Sequence, residues 1–196
     1  MPIVVASRRK KLALIETIYP GALLLDVTSK GSEPWVQFSP FYPHGSIPIP
    51  NSPGAFAQSV EGLWQGLKVF EREDIDPGKW AIKCMSGIKR SGKARGAVLG
   101  HRFGIANQRI LGYLEARLQI YLPAYKWVLD NKLAQQVREL KTQCAMKTLV
   151  LLDYETNGDI QDLSRPLSHA ALVKHYLEDS WPSVVGSLVA EGEPAR

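Results

Sequence analysis

The chain is poor in residues that hold metal ions. Its 196 residues include only two cysteines and four histidines. Cys84 and Cys144 have no partner at the short spacing of a zinc site, and the histidines form no cluster with one another or with carboxylates. We therefore expect neither a metal ion nor another cofactor.

Long apolar runs are also missing. No run approaches the roughly 18 residues that a membrane helix needs, and residues 1–11 lack the charged-then-apolar order of a signal peptide. We expect a cytoplasmic protein without a membrane partner. With 45% hydrophobic residues, no repeat and no linker, the sequence predicts a single domain over 1–196, with a core from about 22 to 180 and a frayed tail at 186–196.

Hydrophobic periodicity predicts an α+β fold that is predominantly α-helical with a few short strands. Short apolar runs predict strands at Ile3–Val5, Leu12–Ile15, Ala22–Val27 and Thr148–Asp153. Longer runs predict helices at Ser59–Phe70, Ile105–Tyr121, Tyr125–Met146 and Ser168–Leu177. The middle two are divided at Leu122-Pro123, because proline disfavours helical geometry in the residue before it. The proline-rich segment Ser29–Pro53 predicts an extended loop.

The predicted helix Ser59–Phe70 carries an unusual polar face. Four of its side chains fall within about 100° of one another: Glu61, Trp64, Gln65 and Lys68. One interpretation is that this face lines a ligand pocket. In that pocket, Trp64 would stack on a planar ring, Gln65 would bind the ring edge and Glu61 would act as an acid or base. The alternative is an ordinary helix in which the helix dipole favours Glu61 in the first turn.

Cationic residues are concentrated in the segment 79–102, which carries seven Lys or Arg and no Asp or Glu. Its glycines let the backbone approach an anion closely, so the segment predicts a phosphate-binding surface. The candidate phosphate ligands are Lys89, Arg90, Lys93, Arg95 and Arg102, with His101 as an aid to proton transfer. The alternative is the solvated face of a basic helix.

Several of these segments together resemble the NADAR (YbiA-like) family. Val60–Phe70 is similar to that family's signature helix, with Glu61, Gln65 and Lys68 in register. Phe38-Ser39-Pro40-Phe41-Tyr42-Pro43 resembles its Phe-Ser-Asn-Phe-Tyr-Pro, and Gly100-His101-Arg102 resembles its Gly-Arg-Arg. Ser29-Lys30 stands where many members carry Ser-Lys. The likeness runs from about residue 24 to 177.

The resemblance implies a NADAR-like fold and an N-glycosidase. The substrate would be a ribosylated or ADP-ribosylated nucleobase, free or in modified DNA, or a related ribose-phosphate metabolite. Cleavage builds positive charge at the anomeric carbon, which a carboxylate stabilises. Glu61 is the first candidate for that carboxylate, with Asp153 or Asp159 as the second. Lys30 is the implied nucleophile, forming a Schiff base with an opened ribose.

The loop residues Phe38, Ser39, Phe41 and Tyr42 would then contact the substrate, with the aromatic rings on its base. Such loop aromatics can equally anchor the loop to the core. Two other functions stay open. A non-catalytic nucleotide- or nucleic-acid-binding module would use the basic segment 79–102 on phosphates. An inactive nucleotide-sensing pocket would fit Gly62 and Pro40, where the NADAR motifs have His and Asn.

Overall fold

The computed structural model of the protein describes residues 1–182. The strands are β1 (Ile3–Ser7), β2 (Leu23–Asp26), β3 (Ile47–Pro48), β4 (Phe56–Ala57), β5 (Lys68–Phe70), β6 (Val98–Arg102), β7 (Ile110–Leu111) and β8 (Leu149–Asp153). The α-helices are α1 (Leu12–Ile18), α2 (Val60–Leu67), α3 (Gly92–Arg95), α4 (Tyr113–Ala116), α5 (Leu122–Asn131), α6 (Ala134–Met146) and α7 (His169–Leu177). Two 3-10 turns lie at Trp35–Phe38 and Pro77–Lys79, and a π-helical segment at Arg117–Tyr121.

A parallel sheet with the order β1-β8-β2 organises the core. All five residues of the middle strand, β8, are buried. Leu149 and Leu151 belong to the main hydrophobic core, whereas Val150 and Leu152 pack with Ile15 of α1 in a smaller cluster. A parallel strand that is covered on both faces needs apolar residues at every position. This explains the apolar run Leu149–Leu152 of β8, which ends at Asp153.

A second sheet is antiparallel with the order β5-β6-β7, and β3 pairs with β4. The three sheets and the helices form an α+β fold in one domain, as predicted from the sequence. Within residues 1–182, no helix combines the length and apolar character that crossing a bilayer requires. The tail predicted at 186–196 lies outside the described residues.

Strands β1, β2 and β8 confirm the strands predicted at Ile3–Val5, Ala22–Val27 and Thr148–Asp153. Helix α7 confirms the last predicted helix. Its N-cap is Ser168, whose Oγ accepts a hydrogen bond from the Ala171 N–H at 3.2 Å. The length and apolar pattern of these segments were therefore sufficient signals at these places.

Two predicted elements are wrong. Leu12–Ile15 is not a strand but the first half of α1, because a short apolar run cannot by itself distinguish a strand from a helix. The helix predicted over Ile105–Tyr121 begins only at Tyr113, after β7 has paired with β6. Strand pairing thus overrides the helical pattern in the first part of that segment.

The predicted break at Leu122-Pro123 is also wrong, because the chain stays helical from Tyr113 to Asn131. A π-helical segment precedes the proline, and the Leu122 N–H donates to the carbonyl of Arg117, five residues back. This wider turn carries the helix past a residue that has no N–H to donate. The break in the helix lies instead between Asn131, where α5 ends, and Ala134, where α6 begins.

Helix α2 is buried at every position from Val60 to Leu67. Its N-cap is Ser59, whose Oγ accepts from the Gly62 N–H at 3.0 Å. A Cβ added to Gly66 would lie 1.9 Å from Nε1 of Trp80, so only glycine permits this close packing. The helix is shorter than predicted, because Lys68–Phe70 forms β5.

Candidate active site

A cavity of about 600 Å³ opens at the carboxyl ends of the parallel strands. Arg9 follows β1, Thr28 follows β2 and Asp153 ends β8, and all three line the cavity. Open parallel sheets bind their ligands outside this edge. Helix α2, the helical segment 113–121 and the start of α7 contribute the other walls.

The cavity brings together many of the side chains that the sequence singled out. Those that line it are Ser39, Phe41, Glu61, Trp64, Gln65, Lys68, Lys89, Arg90 and Asp153. They come from a loop, a helix, two strands and a further loop. Their meeting in one cavity is therefore a product of tertiary structure.

Glu61 is buried in the cavity wall, with 8% of its surface exposed. Its Oε1 accepts a hydrogen bond from Nε2 of Gln65 at 2.9 Å. Burial raises the pKa of Glu61, although Gln65 and the charges of nearby lysines lower it in part. A buried carboxyl with a raised pKa can hold a proton and deliver it within a site.

The side-chain amide of Gln65 is held in one orientation. Its Oε1 accepts from the backbone N–H of Arg90 at 3.1 Å, which leaves the Nε2 group to donate to Glu61. The buried guanidinium of Arg90 donates to the backbone carbonyls of Gln65 and Lys68 at 3.1 and 2.6 Å, and to the Glu73 carboxylate at 2.9 Å. Arg90 is therefore committed to closing the end of α2, and not to the predicted role of binding phosphate.

Asp153 and His169 form a buried ion pair on the cavity wall, with 3.0 Å between Asp153 Oδ2 and His169 Nδ1. The other ring nitrogen of His169 lies 2.8 Å from the carbonyl oxygen of Val27. Both partners only accept hydrogen bonds, so both nitrogens donate and the ring is an imidazolium.

The surroundings shift both groups toward their charged forms. Burial would lower the pKa of His169, but Asp153 and the Val27 carbonyl outweigh it and the pKa is raised. Burial would raise the pKa of Asp153, but His169 and Ser168 outweigh it and the pKa is lowered. Of these two carboxyl groups, Asp153 is shifted toward its ionised form and Glu61 toward its protonated form. The third carboxyl group that lines the cavity, that of Glu155, pairs with Arg9 at 3.2 Å.

Two lysines line the cavity beside Glu61. Lys68 is half-buried at the start of β5, and Lys89 is exposed with its Nζ 5.5 Å from the centre of the Phe41 ring. Burial lowers the pKa of Lys68, an effect that Glu61 partly offsets. Among residues 1–182, neither amine forms an ion pair. Both are therefore available to an anion such as phosphate.

Aromatic rings form one corner of the cavity. The Trp64 ring centroid lies 5.6 Å from that of Tyr121, edge to face, and 6.0 Å from that of Tyr113. Burial and the charges of Glu61 and Asp153 raise the pKa of Tyr121 well above 10. Its hydroxyl therefore stays protonated near both carboxyl groups.

Two predicted catalytic residues lie outside the cavity. Lys30 is exposed in the turn after β2, and its backbone N–H donates to Oγ1 of Thr28 at 3.2 Å. Asp159 is also exposed, and its carboxylate accepts from the Gln161 N–H at 2.8 Å. The structure therefore does not bring the predicted nucleophile to the site, and it leaves Asp153 as the second carboxylate.

Three predicted substrate contacts are also elsewhere. Phe38 is fully buried, and its carbonyl accepts from the Tyr125 hydroxyl at 2.6 Å, so it anchors the loop to the core. The hydroxyl of Tyr42 donates to Glu33 at 3.2 Å, outside the cavity. His101 lines a second, smaller cavity that adjoins the first.

Acidic residues neutralise part of the predicted basic surface. Because β5 and β6 are antiparallel neighbours, the residues that follow β5 lie beside the basic segment. Arg95 Nε pairs with Glu73 at 2.5 Å, and Arg102 pairs with Asp74. Lys93 is exposed and lines neither cavity. Only four residues of the segment, those of α3, are α-helical, so the basic helix of the alternative interpretation is not formed.

Sequence reasoning missed several residues of the cavity wall. Tyr113, Arg117 and Tyr121 recur at intervals of four, the spacing of one helix face, and this signal could have found them. The buried guanidinium of Arg117 donates to three carbonyls of the loop 160–165 at 2.7 to 2.9 Å. His169 follows an N-cap serine, whereas no sequence pattern marks Arg9.

The fold and the cavity define an α+β protein with a ligand-sized pocket at the edge of a parallel sheet. A family model described as a family of unknown function, DUF6939, matches residues 7–173, so the chain belongs to that family. The identification as a NADAR protein is therefore wrong, because the matching family is a different one. No curated protein and no solved structure matches the chain.

Proposed function

We propose that the protein is an N-glycosidase, a hydrolase that cleaves the N-ribosyl bond of a phosphate-bearing N-riboside. Candidate substrates are ribosylated or ADP-ribosylated nucleobases, free or in modified DNA, and related ribose-phosphate metabolites. The observation that carries the proposal is the pair of carboxyl groups in one cavity whose pKa values are shifted in opposite directions, Glu61 up and Asp153 down. Such a pair is typical of glycoside hydrolysis, which needs one acid and one ionised carboxylate.

In the proposed reaction, Glu61 protonates the departing nitrogen while the bond from C1′ to that nitrogen breaks. The bonding electron pair stays with the nitrogen, and positive charge develops on C1′ and the ring oxygen. We assign stabilisation of this charge to the carboxylate of Asp153 and the hydroxyl of Tyr121, which line the same cavity as Glu61. Water then adds to C1′ and returns one proton to Glu61, so the products are the free base and a ribose carrying an anomeric hydroxyl.

The two lysines beside Glu61 supply the proposed phosphate contacts. Lys68 and Lys89 are available as cations, whereas Arg90, Arg95 and Arg102 are engaged by protein groups. A phosphate near Lys68 and Lys89 would also offset their repulsion of the positive charge at C1′. We expect the cytoplasm to be the place of action, which stays a prediction.

The test uses mass spectrometry to measure the release of ribose 5-phosphate or ADP-ribose from two sets of probes. One set is purine and pyrimidine ribonucleotides, and the other is guanine oligonucleotides that carry ADP-ribose. Wild type should release product from at least one probe, and Glu61→Gln should not. Equal rates for both proteins on every probe would refute the enzymatic proposal.

The alternative is a nucleotide- or nucleic-acid-binding module without catalysis. Its surface would be the basic segment 79–102, where ion pairs with Glu73 and Asp74 already reduce the free positive charge. It predicts binding of random oligonucleotides that weakens steeply as salt rises, with no release of product. That combination of results would favour the alternative over the enzyme.

A further inference from the structure

A second cavity of about 370 Å³ adjoins the first. Residues Val98–His101 of β6 form part of its wall. Trp64, Lys68 and Tyr113 line both cavities, so the two spaces meet at these side chains. The two cavities are therefore neighbours around the same three side chains.

His101 is a buried polar side chain of the second cavity. It is only 2% exposed, yet neither ring nitrogen has a hydrogen-bond partner among the described residues. Buried polar atoms without a partner are uncommon in folded proteins, and each calls for an explanation such as a ligand. The ring is held in place by Trp64, at a centroid distance of 3.7 Å.

The charge state of His101 fits a neutral partner. Burial and the charge of Lys68 lower the pKa of His101 to about 3, so the ring is neutral at physiological pH. A neutral imidazole has one N–H donor and one acceptor nitrogen. It can therefore match a partner whose edge alternates acceptors and donors, as the edges of nucleobases do.

The rest of the wall is apolar and accessible. Val98 and Leu99 are 50% and 53% exposed, and Tyr113 is 41% exposed. Apolar walls beside one buried polar group suit a flat ring with apolar faces and a polar edge. A phosphate would instead require cations, and Lys68 is the single cation of this wall.

We propose that the second cavity holds the heteroaromatic base of the N-riboside, with His101 hydrogen-bonded to the edge of that base. This assignment rests on the proposed function, because it makes the base the leaving group and the first cavity the site of the ribose phosphate. The N-ribosyl bond then lies near the shared side chains Trp64, Lys68 and Tyr113. The substrate class is narrowed to ribosides of planar bases that carry a donor and an acceptor on one edge.

The test measures binding of AMP, GMP, CMP and UMP by calorimetry, with ribose 5-phosphate as the probe without a base. Wild type should bind at least one nucleotide about tenfold more tightly than ribose 5-phosphate. His101→Phe keeps an aromatic ring against Trp64 but removes both hydrogen-bonding atoms. This variant should weaken binding of that nucleotide about three- to tenfold, as expected for loss of a neutral hydrogen bond, and should change the affinity for ribose 5-phosphate less than twofold.

A second variant tests whether the base occupies the second cavity, without altering a buried residue. Leu99→Trp enlarges an exposed side chain at the cavity and should exclude the base while leaving ribose 5-phosphate binding unchanged. Ile110→Trp, on the neighbouring strand β7 and 39% exposed, makes the same change outside the cavity and is its control. It should bind every probe as wild type does.

The outcomes separate this inference from the proposed function. If no nucleotide binds more tightly than ribose 5-phosphate, or if Leu99→Trp weakens both equally, the second cavity is not a base subsite. If the two variants lose nucleotide binding selectively but no N-riboside is ever hydrolysed, the subsite stands and the glycosidase proposal fails.

Discussion

Replacing Glu61 with glutamine should abolish catalysis and yet make the protein more stable at neutral pH. Glutamine has the shape of glutamate, and its carbonyl can accept the same 2.9 Å hydrogen bond from Gln65. It cannot donate the proton that the leaving nitrogen needs. Loss of a general acid costs about 10²- to 10⁴-fold in rate, which corresponds to about 3–5 kcal/mol of transition-state stabilisation.

The effect on stability follows from the direction of the pKa shift. The folded protein holds the Glu61 proton more tightly than the unfolded chain, because burial raises the pKa above its ordinary 4.5. The contribution of Glu61 to the free energy of unfolding therefore falls as the pH rises from 4.5 through the raised value. Glutamine avoids this loss, so its advantage should appear above that range and disappear near pH 4.5.

Thermal unfolding of both proteins between pH 4.5 and 8 measures this difference, alongside product release at each pH. Glu61→Ala is the matched control. It also lacks the acid, but it leaves Nε2 of Gln65 without an acceptor, which should cost about 1–3 kcal/mol at every pH. Glu61→Gln should therefore be inactive and stable, and Glu61→Ala inactive and destabilised.

Two results would refute the reasoning. Activity of Glu61→Gln within tenfold of wild type would mean that Glu61 is not the acid. A stability difference that does not change between pH 4.5 and 8 would mean that the Glu61 proton is not held more tightly in the folded protein.

Three further predictions concern the charges around the cavity. Lys68→Met should weaken binding of ribose 5-phosphate by about 10- to 100-fold in calorimetry, the value of one charge-assisted hydrogen bond, whereas Lys93→Met, at an exposed position outside the cavity, should not. His169→Ala should cost about 3–5 kcal/mol in urea unfolding near pH 5.5, because it leaves the charge of Asp153 buried and unpaired. The ion pair should contribute most to the free energy of unfolding between the unfolded pKa values of about 3.9 and 6.5. The contribution of Asp153 is lost below that window as its carboxylate is protonated, and the contribution of His169 is lost above it as the ring is deprotonated. A stability difference between the two proteins that does not change with pH would contradict the assignment. Arg90→Met should lower the melting temperature while any remaining folded protein binds ribose 5-phosphate normally, and selective loss of binding without loss of stability would show that Arg90 is a ligand after all.

The parts of the fold that the sequence predicted correctly are those governed by local rules. Strand β8 is recognisable because Leu149–Leu152 form a short apolar run, as expected for a strand that is covered on both faces. Helix α7 has a local N-cap in Ser168. The elements that were predicted wrongly are those that a short sequence pattern does not decide. Strand β7 exists because β6 is beside it, and the helix continues past Pro123 because a π-helical segment precedes the proline.

The features of the candidate site also fall into those set by the local sequence and those set by the tertiary structure. The sequence by itself determined that Glu61 and Gln65 share a helix face, because residues four apart on a helix are neighbours whatever surrounds them. Only the tertiary structure decided that Asp153 meets His169, that Lys30 stays in solvent and that Glu73 and Asp74 neutralise arginines far along the chain. The physical reason is that a charge acts on whatever lies within a few ångströms, and sheet pairing brings segments to that distance without regard to their separation in sequence.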